Sequence, residues 1–455
     1  MSSPIHSNTS SKSTRESGTF LGHPKGLGFI VFTEAWERFS FYGMQALLVL
    51  YMATYLLHPG TVEGVTGFKA FHHLIETVFG TLSVQALATQ IFGLYIGFIY
   101  LMPVFGGLLG DRVLGRTRAV ILGAVLMAIG HFLMAFEAAF LFALTTLIFG
   151  SGLLKGNLAA QVGELYEKHD QRRDSGFTIY NIAINVGATI APLVCGTLGE
   201  VYGWHLGFGA AGVGMMIGIV IYVAGRKHLP KDKLTIPGHE HPQLQPGDGR
   251  VIAALLVLFL IASLFWATQT QVWNSYPLWI LNRVDRNVFD LLMPVTWFQS
   301  IDAVAVVVLA PLVLWFWNRQ SIKGTEPRHL NKIIMGCGIY TLAFLWLAAA
   351  ELAAGQGQVA LYWPVIFHFI LGIGFMYMGP IMMSLVSRTA PEAVNAMMVG
   401  SYYLSIFAGG FLSGFLGRYY EVLTPAQFWM MHAAIAATSA VLFLVVKKPF
   451  TRLLG

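Results

Sequence analysis

Twelve apolar runs long enough to cross a membrane, beginning near Gly28, Ala86, Ala119, Ala139, Phe177, Leu206, Val251, Pro294, Lys332, Leu361, Ala393 and Gln427, constrain this chain more than any other feature. A helix needs about 20 apolar residues to match the hydrocarbon thickness of a bilayer. In lipid every backbone N–H and C=O must find its partner within the segment or within a closed barrel, so runs of this length become α-helices. Composition agrees. The chain is 56% hydrophobic and 11% charged, with a mean hydropathy of +0.64, whereas soluble domains carry about 25% charge. The expected class is an all-α membrane protein with twelve transmembrane helices.

A net charge of +6 would suit a nucleic-acid binder, but the basic residues sort by membrane side instead of forming a patch. Of 28 Lys and Arg, 22 fall in the termini and loops of one side, Lys69, Arg283, Arg286 and Arg418 fall on the other, and Arg38 and Lys155 lie within spans. The positive-inside rule then puts both termini in the cytoplasm, with the inner (plasma) membrane as the expected location. No nucleic-acid partner is expected, only the lipid bilayer and a small molecule, with the protein acting as a monomer. Residues 1–25 are polar and Ser/Thr-rich, with no apolar signal region, and read as a disordered cytoplasmic tail. The polar stretch from Gly225 to Arg250 divides the rest into six-helix bundles at 26–225 and 251–447, joined by a cytoplasmic linker at 226–250 and followed by a tail at 448–455. Two such halves suggest a pseudo-two-fold axis with a binding cavity at the midplane. Cys195 and Cys337 lie in apolar runs and read as packing residues.

Charge inside the spans is the chemical signal. In FTEAWERFSFYGMQ, Glu34, Glu37, Arg38, Phe41 and Gln45 share one helical face. Lys155 lies in the fourth span and Asp302 in the eighth. An ionised group at the bilayer centre costs about 2.5 to 3.5 kcal/mol even on the lenient scale, so these side chains must face protein or water. Glu34, Glu37 and Asp302 against Arg38 and Lys155 leave one carboxyl in excess, and that carboxyl is expected to carry a proton when no cationic substrate is bound. A static salt-bridge cluster that fixes helix register is the competing reading. After the second span, GGLLGDRVLGRTR places Gly107, Asp111, Arg112, Gly115 and Arg116 in a cytoplasmic turn. It lacks the order of a phosphate-binding loop and resembles the loop signature of the major facilitator superfamily.

EAWERFSFYGM, from Glu34, resembles the ExxERF signature of the proton-dependent oligopeptide transporters, and SGLLKGNLAAQVGELY, SGFTIYNIAINVGATIAP, MPVTWFQSIDAVAVVVLAP and APEAVNAMMVGSYYLS extend the resemblance along nearly the whole chain. The resemblance implies the major facilitator fold and a proton as coupling ion, with no other cofactor and no metal. It assigns Glu34, Glu37 and Arg38 to proton coupling, with Lys155 as their partner. It places Tyr42, Tyr100, Asn185 and Trp266 on a substrate cavity, joined by Asp302, Gln45, Thr270, Phe375 and Tyr402.

Three positions depart from the family pattern. Gln45 and Thr270 replace an arginine–glutamate pair, which leaves no orphan charge. Phe375 replaces a glutamate that holds a peptide's amino terminus, and Asp302, where asparagine is usual, is a substitute for it. Asp302 has two expected roles: binding the substrate amine, or latching the halves by pairing with Lys155 or Arg38. The implied activity is proton-coupled symport of short peptides or peptide-like molecules by alternating access. The alternative keeps fold and coupling but takes an organic anion, nitrate or another metabolite. An enzyme is not expected, because HExxH and GxSxG are absent and HEHPQ fails at its fifth position.

Overall fold

The computed structural model describes residues 19–167, 170–232, 234 and 243–454. Residues 1–18, Lys168, Lys233 and most of HEHPQ lie outside them. Twelve helices are long and apolar enough to cross a membrane: α1 Lys25–Leu56, α2 Val84–Leu114, α3 Arg116–Leu133, α4 Glu137–Glu164, α5 Arg172–Tyr202, α6 Trp204–His228, α7 Asp248–Trp273, α8 Trp297–Ile322, α9 His329–Ala354, α10 Tyr362–Thr389, α11 Met397–Tyr420, and α12 Pro425–Leu454. Each starts within five residues of the run that announced it. Two boundaries change. The stretch before Lys25 is not all tail, because Thr19–Phe20 and His23–Pro24 pair as a small hairpin. Phe20 meets Phe32 edge-on at 6.0 Å and His23 Nδ1 lies 2.8 Å from the Tyr166 hydroxyl, so aromatic contacts fasten these residues to the helices. The expected tail at 448–455 is helical to Leu454, as a continuation of α12.

The two halves repeat one another. In the first, α1 packs on α5 and α6, α4 on α2 and α3, and α3 on α6; shifting every number by six gives the principal contacts of the second half. The contacts across the halves, α2 with α11 and α5 with α8, also exchange under that shift. This is the pseudo-two-fold relation expected from the central linker. Position in the assembly follows charge: 78% of the most apolar window of α1 is buried, against 11% for α8. The helix that carries Glu34, Glu37 and Arg38 is thus enclosed by protein, and the exposed Val307, Val308, Leu312 and Leu314 of α8 suit contact with acyl chains.

Hydrogen bonds between the halves gather at the end of the bundle where α1 finishes and α2 begins. Glu200 of α5 accepts from the backbone N–H groups of Val295 and Thr296, each at 2.8 Å, and from the Thr296 hydroxyl at 2.7 Å. Trp297 Nε1 donates to Thr197 at 2.8 Å, Asn274 Nδ2 to the Thr89 carbonyl at 3.2 Å, and Arg418 to the Phe79 carbonyl at 2.8 Å. Close approach of α2 and α11 depends on Gly93, where a Cβ would come within 2.5 Å of the Gly410 carbonyl. These contacts hold the two halves together at that end, opposite the end that carries the basic loops.

Candidate functional site

The α1 face predicted from sequence folds as one unit. Glu34 and Glu37 are 1% and 0% exposed and Arg38 is 8% exposed. Arg38 Nε lies 2.8 Å from Glu34 Oε1 and 2.5 Å from Glu37 Oε2. One guanidinium therefore serves two carboxylates, on the same helix and within one turn. The expected ion pair to Lys155 is not made. Among the described residues no carboxylate lies within 4 Å of Lys155 Nζ; the ammonium instead stands over the Phe41 ring at 3.8 Å and within 5.1 Å of the Tyr100 ring. Phe41, one turn after Arg38, presents its ring to the ammonium. A desolvated cation–π contact is worth about 2 kcal/mol. Among the described residues the buried Lys155 Nζ thus finds no hydrogen-bond acceptor, near two acids that share one base.

Between the halves lies a cavity with about 190 Å³ of open interior. Eight of the nine residues expected to bind substrate line it: Tyr42, Gln45, Tyr100 and Asn185 from the first half, and Trp266, Thr270, Asp302 and Phe375 from the second. The ninth, Tyr402, does not. It is 2% exposed and packs edge-on behind Trp266 at 6.3 Å, so it supports the wall without reaching the space. Aromatic rings meet in pairs on the walls, with Trp266 against Phe375 at 6.3 Å and Tyr42 against Trp273 at 5.3 Å. Neutral Gln45 and Thr270 both face the cavity, as residues that share a site after losing a charge pair should.

Asp302 is the carboxylate on the cavity wall, and its neighbour differs from the partner the latch reading expected. Among the described residues neither Lys155 nor Arg38 lies within 4 Å of it; His368 of α10 does, with Nδ1 3.5 Å from Asp302 Oδ1. His368 was missed because a histidine in an apolar run carries no obligatory charge. It lies seven residues, two turns, before Phe375, and that spacing on one face was the available signal. Gln269 and Trp273 also line the cavity unforeseen, three and seven residues after Trp266. Tyr340 donates its hydroxyl to Gln269 Oε1.

The turn between α2 and α3 lies at the end opposite Glu200. Arg116 Nε meets Asp111 Oδ1 at 2.8 Å and its Nη1 meets Glu164 at 2.7 Å, while Gly115 turns the chain at φ +80°. Close helix packing rests on Gly106, whose missing Cβ would overlap the Gly152 carbonyl, and not on Gly107, which faces open space. Arg112 makes none of these contacts. Asp232, from the linker, accepts from the Thr117 backbone N–H at 2.9 Å and hydroxyl at 2.8 Å, which ties the linker to the start of α3.

The same sequence pattern and the same fold recur in known proteins. The model of the POT family (PTR2) matches residues 117–237 and 242–430. The "Uncharacterized transporter YclF" of Bacillus subtilis is 29% identical, covering 87% of each chain. The "Peptide transporter YePEPT" of Yersinia enterocolitica is 29% identical over 96% of each. A crystal structure of a mutant of the peptide transporter POT in complex with alafosfalin superposes with a TM-score of 0.83 at 29% identity, over 96% of this chain and 97% of that one. The family match spans most of the sequence and the structural match nearly all of it, so this multi-pass membrane protein belongs to the POT family.

Proposed function

We propose that the chain is a proton-coupled symporter that imports di- and tripeptides or peptide-like molecules by alternating access across the plasma membrane, with both termini in the cytoplasm. The observation that carries the substrate reading is the polarity of the cavity. Its second-half wall ends in the Asp302 carboxylate, while on the first-half side Arg38 and Lys155 stand one layer behind, against Phe41 and, for Lys155, Tyr100. A zwitterion with separated ammonium and carboxylate matches that arrangement, and the aromatic walls accept varied side chains. A carboxylate on the wall disfavours a simple anion such as nitrate. The relatives known as peptide transporters support the same class.

Proton coupling is supported by the α1 cluster. Two buried carboxylates share one guanidinium, so adding or removing one proton changes the charge of a region that must be near neutral to reorient in a low dielectric. Sidedness is supported by the 22 basic residues assigned to one face. The test is a thermal-shift screen of purified protein against di- and tripeptides, organic anions and nitrate, since a ligand that binds only the folded state raises the melting temperature. Stabilisation by peptides alone is the expected result. Stabilisation by nitrate or carboxylates without peptides would overturn the substrate reading.

A further inference from the structure

His368 is completely buried, and among the described residues the carboxylate it meets is Asp302, at 3.5 Å. Neither ring nitrogen makes a hydrogen bond among the described residues, so no backbone carbonyl or hydroxyl fixes a tautomer. The ring stands edge-on to Tyr276 at 5.2 Å and beside Phe367 at 5.4 Å. Asp302, in contrast, is 17% exposed and lines the cavity. The imidazole thus communicates with the cavity through a carboxylate. Other titratable groups that face the pair are the phenols of Tyr276, from the short helix Ser275–Arg283 that continues α7, Tyr340 of α9 and Tyr42 of α1. From α5, packed on α8, comes the Thr189 carbonyl, which accepts from Ser300 at 2.7 Å. No lysine or arginine lies within 4 Å of Asp302 among the described residues.

We propose that Asp302 and His368 form a second proton site, in the half opposite the α1 cluster, and that an ammonium group seated on Asp302 displaces its proton. The displacement, though not the site, rests on the peptide reading above. Empty, the pair holds one proton as imidazolium and carboxylate, with net charge zero. An arriving ammonium sets two cations against one carboxylate. The His368 N–H bond breaks, the proton leaves to cavity water by way of Asp302, and neutral imidazole, carboxylate and ammonium remain, again with net charge zero. By reciprocity, protonation of His368 weakens amine binding by the same factor. A cargo without a free amine leaves the proton where it was.

The site is tested without cargo. Infrared difference spectra of purified protein are recorded between about pH 8 and about pH 5, where histidine titrates. Wild type minus His368→Gln isolates this ring among 14 histidines, with His368→Asn as the second variant should the first fail to fold. The expected result is an imidazolium signal whose midpoint falls by about one unit or more in Asp302→Asn, since the carboxylate that favours the cation is gone. No such signal, or a midpoint unmoved in Asp302→Asn, overturns the site. The displacement is read by calorimetry of a dipeptide and its N-acetyl form in two buffers of different protonation enthalpy. Wild type should release close to one proton per dipeptide at a pH where His368 is charged, and none with the N-acetyl form; His368→Gln should release none with either. A dipeptide that binds with no proton release overturns the displacement. A dipeptide that does not bind at all defeats the peptide reading and the displacement, and leaves the cargo-free test of the site standing by itself.

Discussion

Replacing Glu200 with alanine should open the closed end of the bundle. Its carboxylate accepts three hydrogen bonds at 2.7 to 2.8 Å, two from backbone N–H groups at the start of α8 and one from Thr296, and a negative charge at a helix N-terminus is favourable in itself. A hydrogen bond to a charged group contributes about 1.5 to 3 kcal/mol when buried. Glu200 is only half-buried, and water replaces part of the set when the ends separate, so about 1.5 to 4 kcal/mol is the range for all three together. Each 1.4 kcal/mol is about tenfold in an equilibrium, which gives a shift of about tenfold to several hundred-fold toward the state open at that end. Glu200→Gln retains an acceptor oxygen and should shift it less. The assay is labelling of a cysteine at Thr270, on the cavity wall, by an impermeant maleimide applied from the Glu200 side; the native Cys195 and Cys337 are buried and can stay. A labelling rate in Glu200→Ala within twofold of the parent would refute the assignment of these bonds to closure.

Glu37→Gln should abolish accumulation driven by a proton gradient while sparing exchange of cargo, because it removes a titratable group and leaves Arg38 in place; loss of both together would point to a binding or folding role. Asp302→Asn should weaken a free-amine dipeptide about tenfold or more and its N-acetylated form little, as expected for one charge-assisted hydrogen bond, measured by competition binding. A cysteine at Gln243 should react with an impermeant reagent only after cells are permeabilised, since the linker is assigned to the cytoplasm.

The transmembrane pattern and much of the cavity were legible because lipid makes exceptions conspicuous. Glu34, Glu37, Arg38, Lys155 and Asp302 stand out in apolar runs since each is costly there, and helical spacing put Phe41 and Gln45 on the same face. Contacts decided by how helices rotate against one another were not legible. Lys155 was expected in contact with the acids, but charge counting does not see that the Phe41 ring offers its ammonium a face at 3.8 Å. Tyr402 was placed on the wall, although a rotation of α11 sets it behind Trp266. His368 hid as a neutral residue, and Glu200, at a helix end, looked like any interfacial acid until the start of α8 closed over it. Gly107 and Gly106 are adjacent in sequence, but Gly106 meets α4 and Gly107 faces open space.

The central claim is that the buried α1 cluster couples a proton to peptide import, and uptake into proteoliposomes tests it most directly. Purified protein is reconstituted, a labelled dipeptide is supplied outside, and an inward proton gradient is imposed or withheld. Accumulation above the external concentration is expected with the gradient, equilibration without it, and loss of the accumulation in Glu37→Gln. Equal accumulation with and without the gradient, or a Glu37→Gln variant that concentrates the dipeptide at the parental rate, would contradict it.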